Sequence, residues 1–143
     1  MYNKKYIILD FDGTIFRLFT NYNLNRKIPE IIEMFNKYGI NANGISDVFD
    51  GFKILAMLND AKLKESLCKE LNDKVIQYEL EALKSGILID GFLNFLSYCQ
   101  ENNFKIAIVT NNSNECIEAF FMLYKINYDI PVVGRIYNKP EYM

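Results

Sequence analysis

The stretch YIILDFDGTI, residues 6–15, decides the fold of this 143-residue chain. Its apolar residues 6–9 follow one another without the alternation of a half-exposed strand, which is typical of a strand buried on both faces of a parallel sheet. The run ends at Asp10, and Gly13 permits a tight turn shortly afterwards. We therefore predict a first strand whose carboxyl end carries Asp10 and Asp12 into the crevice where open α/β sheets bind ligands.

The same kind of apolar run occurs twice more, toward the carboxyl end of the chain. Phe104–Val109 (FKIAIV) and Ile130–Val133 each follow a segment in which apolar residues recur on one helical face. Asp90 and Ser113 stand where the N-cap residues of these two helices belong. The order strand, helical insert, helix, strand, helix, strand predicts an α/β fold with a Rossmann-like parallel sheet core.

The segment between the first strand and the others has helical periodicity and no strand signal. Pro29 is placed to open one helix, and Asp47 is placed to cap a second. Residues 61–85 lack Gly and Pro and are rich in Lys, Glu and Leu, which favours one long helix or two joined helices. The predicted organisation is a discontinuous α/β core formed by residues 1–15 and 88–143, with an all-helical cap formed by residues 16–87.

The composition excludes several classes of function. The net charge is -2 with no basic stripe, which argues against nucleic-acid binding, and no apolar run is long enough to span a bilayer. There is no His, so His-dependent hydrolases and His-ligated zinc sites are excluded. The three cysteines have no metal-site spacing, and Cys99 and Cys116, which have apolar neighbours, are predicted to be reduced core residues. We expect a cytoplasmic protein whose chemistry is carried mostly by carboxylates.

Three groups of polar residues follow the predicted strands. Asp10 and Asp12 would place two anions close together, which favours a divalent cation, and oxygen ligands favour Mg²⁺; a simple turn is the alternative. Thr110 and Asn111 precede a predicted helix N-terminus, where phosphate binds readily, although a plain capping turn is the favoured interpretation when these two residues are taken alone. Lys139 follows the third strand and is either a solvated charge or a third contributor to the same crevice.

Together these segments resemble the motifs of the haloacid dehalogenase superfamily. Residues 6–15 resemble its first motif, KIAIVTNNS (residues 105–113) its second, and VVGRIYNKPEY (residues 132–142) its third. The helical insert directly after the first motif is similar to that of the phosphoglycolate phosphatase-like branch, which carries a helical cap. The resemblance implies hydrolysis of a phosphate ester on a small phosphorylated substrate.

The resemblance also implies a role for each candidate residue. Asp10 would attack phosphorus and form an aspartyl-phosphate, and Asp12 would serve as general acid and then base. Thr110, Asn111 and Lys139 would hold the phosphoryl oxygens. Mg²⁺ would bind the Asp10 carboxylate and the Asp12 backbone carbonyl.

Several alternatives stay open at this point. The leading hypothesis is a Mg²⁺-dependent phosphatase for a small phosphorylated metabolite, and a phosphomutase or a phosphonate hydrolase of the same superfamily is the nearest alternative. The family's fourth motif, an acidic strand end, is not found after Lys139, so a truncated and catalytically inactive interaction module is the third. Without that fourth strand, we expect the first strand to be an exposed edge through which the chain self-associates.

Overall fold

The computed structural model describes residues 5–137 and 139–140. Its elements in chain order are β1 (Lys5–Leu9), β2 (Phe16–Arg17), a short 3-10 helix (Leu24–Lys27), α1 (Ile28–Lys37), α2 (Asp50–Ala56), α3 (Ala61–Leu83), β3 (Ile87–Leu88), α4 (Phe92–Glu101), β4 (Phe104–Val109), α5 (Asn114–Leu123) and β5 (Val132–Val133). No helix among these residues is long and apolar enough to cross a membrane.

The core is a parallel sheet with the strand order β1-β4-β5. Leu9 pairs with Ile108, and Ile108 pairs with Val132, so the three carboxyl ends lie at one edge of the sheet. A separate antiparallel pair joins β2 to β3. The parallel α/β fold predicted from the sequence is therefore confirmed.

The third strand is shorter than the predicted Ile130–Val133, because β5 contains only Val132 and Val133. Pro131 precedes it and has no N–H to donate to a sheet, although its carbonyl oxygen accepts a hydrogen bond from the Ile108 N–H at 2.9 Å. Regular pairing can therefore begin only after the proline.

Capping was predicted correctly for one core helix and wrongly for the other. The Ser113 hydroxyl accepts a hydrogen bond from the Cys116 N–H at 3.1 Å and caps α5 as expected. At α4 the N-cap is Gly91, whose φ of 81° places it in the left-handed region, and Asp90 does not cap the helix. The prediction that Asp47 caps α2 is also wrong, because this helix begins only at Asp50. Asp47 instead accepts a hydrogen bond from the Phe49 N–H in the turn before the helix.

The chain divides into two compact units. The first contains the described residues up to Asn21 together with Glu79–Arg135, and the second contains Tyr22–Tyr78 with the described residues from Ile136 to Pro140. The second unit is helical, and the residues from Lys27 to Leu83, all of which the structure describes, contain no strand. The segment predicted as an all-helical cap, residues 16–87, is not helical at its ends, because Phe16–Arg17 form β2 and Ile87 begins β3. The boundaries between core and cap stay a prediction.

An apolar cluster holds the second unit together. Side chains from α1, α2 and α3 form it, among them Phe35, Phe52 and Leu71, each no more than 1% exposed. Gly51 lets two helices approach closely, because a Cβ atom there would lie 2.9 Å from a methyl carbon of Leu71. The long helix predicted over residues 61–85 is observed as the single helix α3.

Aromatic packing holds the first unit together on one side of its sheet. Phe11, Phe16 and Phe120 are fully buried, and the ring centroids of Phe11 and Phe120 lie 5.0 Å apart. The other side is different, because Tyr6 and Ile8 of β1 are 72% and 71% exposed. The prediction that the first strand is buried on both faces is therefore wrong, because nothing in the described part of the chain covers the face that carries Tyr6 and Ile8. The expectation that this strand is an exposed edge is confirmed by the strand order β1-β4-β5.

Candidate active site

A tight turn after β1 presents two carboxylates at the carboxyl edge of the sheet. Phe11 is fully buried, and its carbonyl oxygen accepts hydrogen bonds from the N–H groups of Thr14, Ile15 and Phe16 at 3.2, 2.9 and 3.1 Å. Gly13, with a φ of 85°, allows the chain to reverse there. The buried Phe11 side chain anchors the turn, and the residues on either side of it, Asp10 and Asp12, are exposed.

Each of these carboxylates is oriented by one backbone N–H. Asp10 Oδ1 accepts from the Phe11 N–H at 2.7 Å, and Asp12 Oδ1 accepts from the Leu18 N–H at 3.0 Å. The second oxygen of each carboxylate makes no hydrogen bond with the described part of the chain. The turn therefore fixes the direction of two carboxylates and leaves one oxygen of each open to a ligand.

The loop after β4 lies at the same edge of the sheet. Because Leu9 pairs with Ile108 in parallel register, Asp10 and Thr110 both follow strand ends that are neighbours. The exposed Asn111 comes next, and its side-chain amide makes no hydrogen bond within the described residues. Asp10, Asp12, Thr110 and Asn111 thus follow the carboxyl ends of two neighbouring strands, and their action as one site stays a prediction.

Thr110 is less open than its neighbour. It is 8% exposed, and its Oγ1 donates to Asn112 Oδ1 at 2.8 Å and accepts from the Asn112 N–H at 3.1 Å. Its backbone N–H donates to the Val133 carbonyl at 2.9 Å. The hydroxyl proton is therefore used inside the loop, whereas the Asn111 side chain is available to bind an anion.

Lys139 is exposed, and its backbone N–H donates to the Ile136 carbonyl at 3.1 Å. It belongs to the second compact unit, whereas Asp10 and Thr110 belong to the first. That Lys139 joins the site at the sheet edge stays a prediction.

A buried ion pair beside this loop was missed from the sequence. Arg135 Nη2 lies 2.9 Å from Glu79 Oε1, both side chains are 0% exposed, and Arg135 also donates to the Asn111 carbonyl. Arg135 follows β5 and Gly134 at the carboxyl edge of the sheet, and this position could have suggested that it belongs to the site. Glu79 lies in a helix rich in charged residues, and no local pattern distinguishes it from its solvated neighbours.

The oxygen donors of the turn match a magnesium ion in kind. Mg²⁺ is commonly held by one or two carboxylates together with water and substrate phosphate oxygens, so the Asp10 carboxylate and the Asp12 carbonyl are suitable protein ligands. The described residues contain no group of three or more His, Cys, Asp or Glu side chains that could hold a metal ion by themselves. These two protein oxygens would therefore suit a cation whose other ligands come from the substrate and from water.

The three cysteines do not contribute to the site. Cys68, Cys99 and Cys116 are buried and no disulfide joins them, which confirms the core positions predicted for Cys99 and Cys116. Burial raises the pKa of the Cys116 thiol far above its ordinary range, and the nearby Glu79 carboxylate raises it further. A neutral buried thiol is a poor nucleophile, so the candidate nucleophiles at this edge are the carboxylates.

A family model described as haloacid dehalogenase-like hydrolase matches residues 7–136. The chain belongs to the haloacid dehalogenase-like hydrolase family. The match extends over both the sheet and the helical insert and includes four of the five candidate residues. Comparison with curated proteins gave no significant match.

Solved structures of similar fold agree with this family. A protein from Bacteroides fragilis described as a haloacid dehalogenase-like hydrolase is 21% identical, with a TM-score of 0.58 over 92% of this chain and 63% of its own. A predicted phosphatase from Clostridium acetobutylicum is 15% identical, with a TM-score of 0.53 over 92% and 61%. A hydrolase from Pseudomonas syringae is 17% identical, with a TM-score of 0.53 over 92% and 59%. This haloacid dehalogenase-like chain spans less than two thirds of the length of each of these three structures.

Proposed function

We propose that this chain carries the nucleophile and part of the phosphate-binding loop of a Mg²⁺-dependent phosphatase that acts on a small phosphorylated metabolite. The observation that supports this most strongly is that Asp10, with one carboxylate oxygen unoccupied, follows a strand adjacent to the one that ends at Thr110 and Asn111. Membership of a family of hydrolases supports the same reaction class.

The proposed reaction has two steps. The open oxygen of Asp10 attacks phosphorus, its bond to phosphorus forms as the bond to the substrate oxygen breaks, and Asp12 gives its proton to that leaving oxygen. Water then attacks the aspartyl-phosphate, Asp12 takes the water's proton, and inorganic phosphate leaves as the Asp10 carboxylate is restored. The hydrogen bonds from the Phe11 and Leu18 N–H groups hold the two carboxylates in place for both steps.

The remaining residues have supporting roles in the proposal. The Asn111 side-chain amide and the Lys139 ammonium hold the equatorial phosphoryl oxygens, and Thr110 shapes the loop that presents Asn111. When bound by the Asp10 carboxylate and the Asp12 carbonyl, Mg²⁺ would neutralise part of the phosphoryl charge.

The test uses p-nitrophenyl phosphate and the chain as it is, with Mg²⁺ added or removed by a chelator. Turnover should require Mg²⁺ and should be lost in Asp10→Asn, because an amide cannot act as the nucleophile. Asp129→Asn is the matched control, because Asp129 is an exposed aspartate to which no role is assigned, and it should behave as the unmodified chain. Full turnover in Asp10→Asn would remove the covalent mechanism.

A second candidate function, an interaction module, is favoured by a different observation. Tyr6 and Ile8 expose apolar side chains on the edge strand β1, and an edge of this kind pairs readily with another chain. In this proposal two copies associate through β1. Light scattering that finds only monomers over a wide range of concentrations would exclude it, and a dimer without turnover would favour it over the phosphatase.

A further inference from the structure

The ion pair between Glu79 and Arg135 is completely buried, and this sets it apart from the other ion pairs of the described residues. Two nearly parallel hydrogen bonds join the groups, from Nη2 to Oε1 at 2.9 Å and from Nη1 to Oε2 at 3.2 Å. Moving two charges out of water is costly, and apolar replacements of such pairs are often as stable as the original. A role in geometry therefore explains the pair better than a role in stability.

The pair is bonded to three consecutive residues of the loop after β4. Glu79 Oε2 accepts from Asn112 Nδ2 at 2.9 Å and from the Ser113 N–H at 3.2 Å. Arg135 donates from Nη1 to the Asn111 carbonyl at 3.0 Å and from its backbone N–H to the Asn112 carbonyl at 2.9 Å. The loop is thus held by α3 from one direction and by the segment after β5 from another.

These contacts decide which way the Thr110 hydroxyl points. A carboxylate paired with a guanidinium only accepts hydrogen bonds, so the NH₂ end of the Asn112 amide must face Glu79. The oxygen end then faces Thr110, at 2.8 Å, and receives the hydroxyl proton. The carbonyl and N–H of the Asn111–Asn112 peptide point in opposite directions. Because Arg135 binds that carbonyl, the N–H is directed at Thr110 Oγ1.

We propose that Glu79 and Arg135 are positioning residues that set the hydrogen-bond donor pattern of loop 110–113, and through it the affinity of the site for a phosphoryl group. They keep the Thr110 proton inside the loop and leave the Asn111 amide as the outward donor. Neither side chain touches the substrate, because both are 0% exposed. This inference rests on the proposed phosphatase function.

The test compares Glu79→Gln with the double variant Glu79→Met/Arg135→Met in the full chain. In Glu79→Gln the new NH₂ group competes with Asn112 as donor, so the Asn112 amide no longer has a single orientation. We expect KM for p-nitrophenyl phosphate and Ki for inorganic phosphate to rise together by about tenfold, the effect of one hydrogen bond. Asp73→Asn is the matched control, since it also replaces a carboxylate by an amide on the same helix, but at an exposed ion pair, and it should alter neither constant.

The double variant separates the effect of the ion pair on the position of loop 110–113 from its effect on the thermal stability of the protein. Removing both charges should restore most of the thermal stability that Glu79→Gln loses, while KM and Ki stay raised because the loop has lost its partners. If Glu79→Gln does not fold, the double variant carries the test alone.

Two outcomes overturn the inference, and they differ. If KM and Ki match the unmodified chain in folded variants and only the melting temperature changes, the pair is merely structural and the phosphatase proposal stands. If the unmodified chain neither turns over p-nitrophenyl phosphate nor binds inorganic phosphate, the proposed function and this inference both fail.

Discussion

Replacing Gly134 by Ala tests how tightly the segment after β5 is packed against the candidate phosphate loop. A Cβ atom at Gly134 would clash with Asn114 Oδ1 and would lie 2.8 Å from the Asn112 carbonyl oxygen and 2.9 Å from the Asn114 nitrogen. A side-chain oxygen can move aside, but the other two atoms are backbone. The substitution therefore has to displace the main chain of residues 112–114.

Overpacking of this kind typically costs about 1–3 kcal/mol. For a domain of this size each kcal/mol corresponds to a fall in melting temperature of about 4 °C, so Gly134→Ala should melt about 4–12 °C lower. Because the displaced loop also carries Asn111, KM for p-nitrophenyl phosphate should rise in the same variant.

The assay is thermal unfolding followed by circular dichroism, with Gly44→Ala as the control. A Cβ atom at Gly44 would have no atom within 4 Å, and its φ lies outside the left-handed region. That variant should be unchanged or more stable by up to about 1 kcal/mol, because Ala lowers the entropy of the unfolded chain. Equal melting temperatures for Gly134→Ala and Gly44→Ala would show that the predicted close approach is absent.

Three further predictions concern other parts of the chain. Asp12→Asn should lower kcat by about 10²–10⁴-fold while inorganic phosphate still binds; an unchanged kcat would remove its acid–base role. Through its hydrogen bond, the Lys74 ammonium holds the pKa of Glu30 below its ordinary 4.5, so this pair stabilises the fold above that pH and the contribution disappears as the pH falls through the lowered pKa. Lys74→Met should accordingly lower the melting temperature more at about pH 7 than at about pH 3, and an equal loss at both would contradict this. Ile8→Lys should reduce any self-association seen by light scattering, and an unchanged molecular mass would show that β1 is not the interface.

Local signals in the sequence predicted most of the fold. The apolar run FKIAIV became β4 with the expected bounds, and Ser113 capped α5 because its hydroxyl needs only the N–H three residues ahead. Pro29 lies in the first turn of α1, where its missing N–H costs nothing. Each of these features depends on residues that are close together in the chain.

The features that were missed depend on residues that are far apart. An apolar strand looks the same in sequence whether one or both of its faces are covered, so the exposure of Tyr6 and Ile8 was not predictable from their neighbours. Glu79 differs from other helical glutamates only through Arg135, 56 positions later. For the candidate site, the sequence predicted which residues lie at the sheet edge, but not that the Thr110 proton is used inside its own loop.

The absence of imidazole groups and the burial of the thiols affect which metal ions the surface of this chain can bind. The chain contains no His, and its three thiols are buried. Late first-row metals such as Cu²⁺ and Zn²⁺ bind mixed sites more tightly than Mg²⁺ does, and they depend largely on nitrogen and sulfur ligands to do so. A surface that offers them only oxygen removes much of that advantage. In the proposed phosphatase, the lack of nitrogen and sulfur ligands would favour Mg²⁺ over these competitors without a cavity shaped to exclude them.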